Sequence, residues 1–438
     1  MLATFMDGVR EFDNALARLE RRGETDFARV EPVVQEILGA VRAEGDAAVQ
    51  RYSERFGGRR APRLVLRDYP GSAALGRLPA DARVALELAA TRVRSFHEHQ
   101  RDGGFRYESG GVMLGARVLP VARVGVYAPG GKAPYPSSVI MSAIPAQVAG
   151  VSEIILATPL KGGASDDAIY AAAHLSGVSA ILDAGGAQAI GALAYGTESL
   201  ARVDKIVGPG NLYVACAKRL VFGALDIDGI AGPSEILVVA DDEADPRLVA
   251  ADLLSQAEHD EAAYPLLLCT SDLMAEAARG ELEEQLATLP KAAIARAALA
   301  NGAAFVVRSR DRMAEVANRI AAEHVALHVA DPESLLVHIR RAGAVFLGPS
   351  TPEAIGDYLA GPSHVLPTGG AVRFGAPLGV YDFVTRTSII RYSLEALERD
   401  ERAACALARL EGFEGHARAV EARFPRSSGG WGVKNQRR

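Results

Sequence analysis

Three stretches carry side chains whose types and spacing could do chemistry. In ADPRLVAADLLSQAEHDEAA, residues 244–263, Asp245 followed by Pro246 reads as a helix N-cap with proline in the first turn. Gln256 and His259 stand three apart and so share one helix face. An amide oxygen and an imidazole nitrogen can both ligate a divalent metal, glutamine being the less usual ligand. In AAEHVAL, residues 321–327, Glu323 stands directly beside His324, an acid and a base that burial could tune for proton transfer. TPEAIGDYLAGPSHVLPTGG, residues 351–370, puts Asp357 and His364 in a Gly/Pro-rich run, where a carboxylate and an imidazole point to function more than on a plain helix. Taken singly, each stretch also fits an ordinary surface helix or loop. His97, His99, His174, His328 and His338 sit in contexts that call only for structural or solvent-exposed histidines.

Three glycine-rich loops accompany them: VGVYAPGGKAPYPSS (124–138), DAGGAQAIGALAYGT (183–197) and VGPGN (207–211). Each follows a strand signal and precedes a helix signal, the place where open α/β sheets bind ligands. Glycine there lets the backbone approach a phosphate, and helix N-termini favour anions. None matches GxGxxG or GxxxxGK[ST], so tight turns and close packing explain the glycines equally well. Lys132 could meet a phosphate. Cys216, just after VGPGNLYV, could form a covalent adduct with an aldehyde, but the helical AKRL context favours a packed thiol.

The elements that must position these groups follow from apolar patterning. Short Val/Ile/Leu runs at 123–127, 153–158, 180–184, 205–207, 235–240, 266–270, 305–307 and 344–347 lack polar alternation, as parallel strands covered on both faces do. Helical patterns lie between them, for example at 246–258 and 312–322, which makes the chain α/β with open parallel sheets. Residues 30–54, 81–100 and 394–423 read as helical, and the tail SSGGWGVKNQRR as polar and frayed. No repeat of fixed period stands out.

The chain has 438 residues, enough for two large domains, and 49% hydrophobic residues, enough for a sizeable core. A formal net charge of -6 argues against nucleic-acid binding, which needs a basic patch. No apolar run reaches the roughly 18 residues of a membrane span, and the charged N-terminus lacks a secretory core. Three widely spaced cysteines, Cys216, Cys269 and Cys405, fit a reduced, cytoplasmic protein rather than a disulfide framework.

Read in order, the blocks VGVYAPGGKAPYPSSV, IPAQVAGV, AGGAQAIGALAYGT, VDKIVGPGNLYV, DIDGIAGPSEILVVAD, ADLLSQAEHD, AEHVAL, TPEAIGDYLAGPSHVLPTGG and EGFEGH closely resemble the histidinol dehydrogenase family over about residues 30–420. The resemblance implies two Rossmann-like open parallel-sheet domains lacking the glycine fingerprint, with helical N- and C-terminal extensions. It divides the chain into 1–21, a first α/β domain of 22–126 with 236–378, a second of 127–235, and a C-terminal segment 379–438 exchanged between subunits. It implies one Zn2+ per subunit, held by Gln256, His259, Asp357 and His416, and Glu323 with His324 as the catalytic pair. Ser234, His364 and Glu411 would contact the substrate together with His324 and the metal ligands, and Tyr127, Gln188 and Asn211 would contact NAD. The implied reaction takes L-histidinol through L-histidinaldehyde to L-histidine in a cytoplasmic homodimer, with two NAD reduced in turn. A related enzyme for another polar alcohol, such as a sulfonated diol, would keep zinc and NAD but lack Glu411 and His364. Two positions depart from the family pattern: Ala322 stands where proline is usual, and Ser363 where asparagine is usual.

Overall fold

The structure is a computed structural model that describes residues 2–23, 27–130 and 134–424. Lys132 and the polar tail lie outside the described residues. By contacts the chain forms two compact units, one of residues 1–101 with 120–384 and one of 102–119 with 385–438.

The larger unit holds two six-stranded sheets. In the first, the spatial order is Val65–Leu66, Ala180–Leu182, Glu153–Ala157, Arg123–Tyr127, Lys205–Val207, Asp226–Ile227. All neighbours run parallel except the two-residue edge strand Val65–Leu66. In the second the order is Ala3–Met6, Ala303–Val306, Tyr264–Cys269, Glu235–Ala240, His324–His328, Ala344–Leu347, parallel throughout. The unbroken apolar runs now have their reason. Val124 and Val126 enter one core, whereas Tyr127 enters the core on the opposite face of the same sheet. Likewise Ile236 and Val238 face one core and Leu237 and Val239 another. Side chains alternate in direction along a strand, so a strand apolar at every position is covered on both sides.

The strands regroup the chain relative to the domain boundaries expected from the sequence. Residues 22–126 do not build the sheet that carries 236–378. Helices Glu31–Glu44 and Asp46–Gly57, separated at Gly45, pack Val34, Val41 and Val49 into the core that holds Ile155 and Leu182 of the first sheet. Arg123–Tyr127 is central in that same sheet. An amphipathic helix docks on whichever apolar sheet face is uncovered, and its own pattern does not say which. Residues 1–21 are not purely helical either: Ala3–Met6 forms an edge strand beside Ala303–Val306 before helix Arg10–Glu20.

The smaller unit corrects the reading of 379–438 as a helical segment. Strand Val384–Tyr392 joins a three-stranded sheet with the hairpin Phe105–Ser109 and Val112–Pro120. Helices Leu394–Leu410 and Glu414–Glu421 follow and pack on each other. Among the described residues no helix is long and apolar enough to cross a membrane.

One glycine fixes where the central strand of the first sheet meets the VGPGN loop. Gly208 has φ +110, and a Cβ there would lie 2.1 Å from the Tyr127 carbonyl oxygen. Gly208→Ala is therefore expected to destabilise the protein by about 1–3 kcal/mol, seen as a lower urea midpoint at unchanged slope.

Candidate active site

The acid–base pair is built by a sharp reversal ahead of a buried strand. Helix Arg310–Ile320 ends at Ala321, whose φ of 51 makes it the one non-glycine residue with positive φ among the described residues. Glu323 follows, and His324 opens strand His324–His328, with Ile236 opposite it in parallel register. The sequence reading ran this helix on to 322, because Ala-Ala gives no stop signal of its own. Both functional side chains are buried.

Their hydrogen bonds converge on one residue. Glu323 Oε2 accepts the Glu235 backbone N–H at 2.9 Å, and the Glu323 N–H donates to Glu235 Oε2 at 3.2 Å. His324 Nδ1 lies 2.9 Å from the Glu235 carbonyl oxygen. A carbonyl can only accept, so Nδ1 carries the proton and Nε2 of the neutral ring is left as the base. Burial lowers the His324 pKa and keeps the ring neutral. Burial, then the neighbouring Glu235 carboxylate, pushes Glu323 well above the usual carboxylate range.

One member of this pair, His324, also belongs to a set of metal-ligating atoms. His324, Glu353 and Asp357 each bring one such atom within 4.8 Å of the others. Gln256, on helix Pro246–Ala257, is buried, and its Oε1 has no hydrogen-bond partner. A buried amide oxygen left unpaired is costly, and a cation would satisfy it. His259 falls in the turn just past that helix, with Nε2 3.6 Å from Asp357 Oδ2, a contact that raises its pKa. Its Nδ1 is 2.8 Å from the Ser255 carbonyl oxygen, which puts the proton of the neutral ring on Nδ1 and leaves the Nε2 lone pair available. His364 Nδ1 is bonded to the Asp357 carbonyl oxygen at 3.1 Å. The structure thus brings together His259, Glu323, His324, Asp357 and His364, with Gln256 buried three residues ahead of His259. Ser234 precedes Glu235 and is half-buried. Glu411 and His416 are exposed residues of the smaller unit, at the end of Leu394–Leu410 and within Glu414–Glu421. Ala322, at the first departure from the family pattern, is fully buried, and Ser363 at the second accepts the Val365 N–H on its hydroxyl.

Tyr127, Gln188 and Asn211 line a single cavity of about 750 Å³, with Arg59, Lys161 and Asp183. It opens at the carboxyl ends of the strands in the first sheet, beside the switch between Arg123–Tyr127 and Lys205–Val207. The Tyr127 hydroxyl accepts the Gly186 N–H at 3.0 Å, and Asn211 caps helix Leu212–Val221. Cys216 is fully buried in that helix, and burial raises its thiol pKa, so it is not an activated nucleophile.

Three residues escaped the sequence reading. Glu353 is fully buried, with Oε1 unpartnered and 3.7 Å from His324 Nε2. Its spacing of four from Asp357 is the signal that could have found it. Glu235 and its partner Arg22 are 213 positions apart, and no local pattern joins them.

Comparison with known proteins assigns the chain to a family. A family model for histidinol dehydrogenase matches residues 20–424. A histidinol dehydrogenase of Syntrophotalea carbinolica is 51% identical over 418 residues, covering 94% of this chain and 97% of that protein. One from Pseudomonas aeruginosa is 52% identical over 396 residues, covering 89% and 90%. The crystal structure of histidinol dehydrogenase from Elizabethkingia anophelis superposes with a TM-score of 0.91 at 33% identity, covering 96% of this chain and 98% of that one.

Burial raises the pKa of Glu353 to about 7. A carboxyl whose folded pKa lies above its unfolded value stabilises the fold at low pH, and that contribution is lost as pH rises through the folded value. In chelator-treated protein, stability should fall between about pH 4.5 and 7 by up to about 3 kcal/mol from this group. Glu353→Gln should flatten that slope in urea titrations across the window.

Proposed function

This chain belongs to the histidinol dehydrogenase family, NAD-dependent oxidoreductases of histidine biosynthesis, and we propose that it oxidises L-histidinol to L-histidine at the Glu323–His324 pair beside a bound zinc. The observation that carries this reading is a buried, neutral His324 whose Nε2 lone pair faces Glu353 and Asp357, within one group of metal-ligating atoms. Gln256, His259 and Asp357, with His416 of the partner subunit, hold one Zn2+ per site. The unpaired Gln256 oxygen and the imidazole–carboxylate donor set fit such an ion. Zinc, when bound, supplies a Lewis-acid centre suited to the imidazole nitrogen and α-amine of the substrate.

Alcohol to carboxylate is a four-electron change, and each NAD accepts one hydride. Per histidinol, two NAD and one water are consumed, and two NADH and three protons are released. His324 takes the hydroxyl proton as the first hydride leaves. Glu323 takes a proton from the water that adds to the aldehyde. His324, having shed its first proton to solvent, takes the hydrate proton as the second hydride leaves. Tyr127, Gln188 and Asn211 contact the nucleotide in the cavity they line. Ser234 and His364 orient the substrate, and Glu411 of the partner subunit faces its imidazole. The three buried free cysteines support a reducing compartment, the cytoplasm.

Sharing of sites in a homodimer is supported by the smaller unit's own surface. Leu394, Leu407, Leu410 and Phe413 are exposed there, while only a few small side chains of its helices are buried. Such a unit needs a larger surface to dock on, and exchange between identical chains supplies one.

The primary test is NADH formation from L-histidinol, expected to vanish on chelation and return with zinc. Full activity in protein shown by elemental analysis to be metal-free would sink the zinc assignment. Glu323→Gln should still reduce NAD with histidinol but stall at the aldehyde, whereas equal loss of both half-reactions would overturn the division of roles. For the dimer, His416→Ala and His259→Ala chains are dissociated, mixed and reassembled. With shared sites a heterodimer has one site free of both substitutions, so activity should partly return. No recovery in proven heterodimers would refute sharing.

A further inference from the structure

Behind the acid–base pair lies a buried ion pair without a role in the reaction as drawn. The side chains of Arg22 and Glu235 are 2% and 1% exposed. Arg22 Nε donates to Glu235 Oε1 at 2.7 Å and its NH2 to Oε2 at 2.6 Å, a two-pronged grip. Each carboxylate oxygen also accepts a backbone N–H: Oε1 from Gly369 at 2.7 Å and Oε2 from Glu323 at 3.2 Å. The guanidinium reaches the Ala321 carbonyl as well, at 3.2 Å, on the one left-handed non-glycine residue described. Glu235's own backbone then holds the Glu323 carboxylate and the His324 ring. So one ion pair fixes the turn at Ala321, the backbone of Glu323 and the loop at Gly369, and both reacting side chains hang from the same residue.

We propose that Arg22 and Glu235 are positioning residues for both oxidations, acting through Glu323 and His324 without touching substrate. The proposal rests on the function assigned above. A buried charge pair adds little net stability over apolar residues of the same size. Its specific product here is geometry: four donors set around one carboxylate in a fixed plane. Lysine at position 22 could not bridge both oxygens. Glutamine at 235 could accept only one of the two backbone N–H groups and would turn its own amide hydrogens against the other.

The test uses full-length zinc-loaded enzyme with L-histidinol and NAD. Arg22→Lys keeps the charge, so the fold is spared an unpaired buried carboxylate. It should lower kcat by about tenfold or more while KM for both substrates stays within about twofold. Arg22→Met combined with Glu235→Gln removes both charges at once, which relieves the fold of a lone buried ion. A purely structural pair predicts that this double variant, once its melting temperature and zinc content match wild type, also regains kcat. Positioning predicts that kcat stays low at normal melting temperature, with both half-reactions slowed together. Wild-type kcat in folded Arg22→Lys, or a loss confined to KM, would overturn the proposal while leaving the functional reading intact. A wild-type enzyme inert towards histidinol would overturn that reading and this proposal with it.

Discussion

The parallel pairing of Glu235–Ala240 with His324–His328 is the constraint on which the site depends. With Ile236 opposite His324, the residues just before and at the start of the two strands come face to face. Sliding one strand by a residue would exchange the side chains sent into the two cores and break their fitted packing. Here both faces are buried, with Ile236 and Val238 in one core and Leu237 and Val239 in the other. Burial of these side chains contributes about 1.5–3 kcal/mol apiece, and their fitted packing in the two cores holds the register. Glu235, Glu323 and His324 inherit their positions from it.

The arrangement concentrates buried acids. Glu235, Glu323 and Glu353 are buried and Asp357 is half-buried, while Arg22 is the permanent cation bonded within this group. Burial and mutual repulsion push Glu323 well up and Glu353 to about 7. Acids crowded in a poorly solvated place either hold protons or call for a cation. A dication among Asp357, His259 and Gln256 would supply that charge, which is physical support for the zinc reading. His324 remains a usable base because burial keeps it neutral against the opposing pull of Asp357, and the Glu235 carbonyl fixes its tautomer.

The two sheets share one strand order. Around the central Arg123–Tyr127, and again around Glu235–Ala240, two later strands stack on one side and two more on the other, with an extra edge strand added. Yet they are used at opposite ends. The cavity with Tyr127 and Asn211 opens at the carboxyl ends of the first sheet, as the switch-point rule expects. Glu323 and His324 sit at the amino end of the second. That end is available because strand Glu235–Ala240 begins at the GPSE turn and strand His324–His328 at the left-handed Ala321.

The sequence alone determined what local chemistry can encode. Continuous Val/Ile/Leu runs announced the doubly covered strands, and Asp245–Pro246 announced the helix that carries Gln256. The ordered blocks then pointed to the family, and among the residues they offered, His259, Asp357, His364, Glu323 and His324 lie close together. The repeated strand order stayed invisible, since sheet topology leaves no fixed period in residue types. The partner of helices Glu31–Glu44 and Asp46–Gly57 was also out of reach, because an apolar stripe is equally at home on either sheet. Glu353 was marked only by its distance of four from Asp357. Arg22 and Glu235 were not marked at all: one is an arginine among many at the end of a helix, the other a glutamate opening a strand. What makes them a pair is a parallel strand register and an N-terminal segment folded against it. Only tertiary structure decides that, because the energy that fixes it comes from apolar surfaces distant in sequence and buried together.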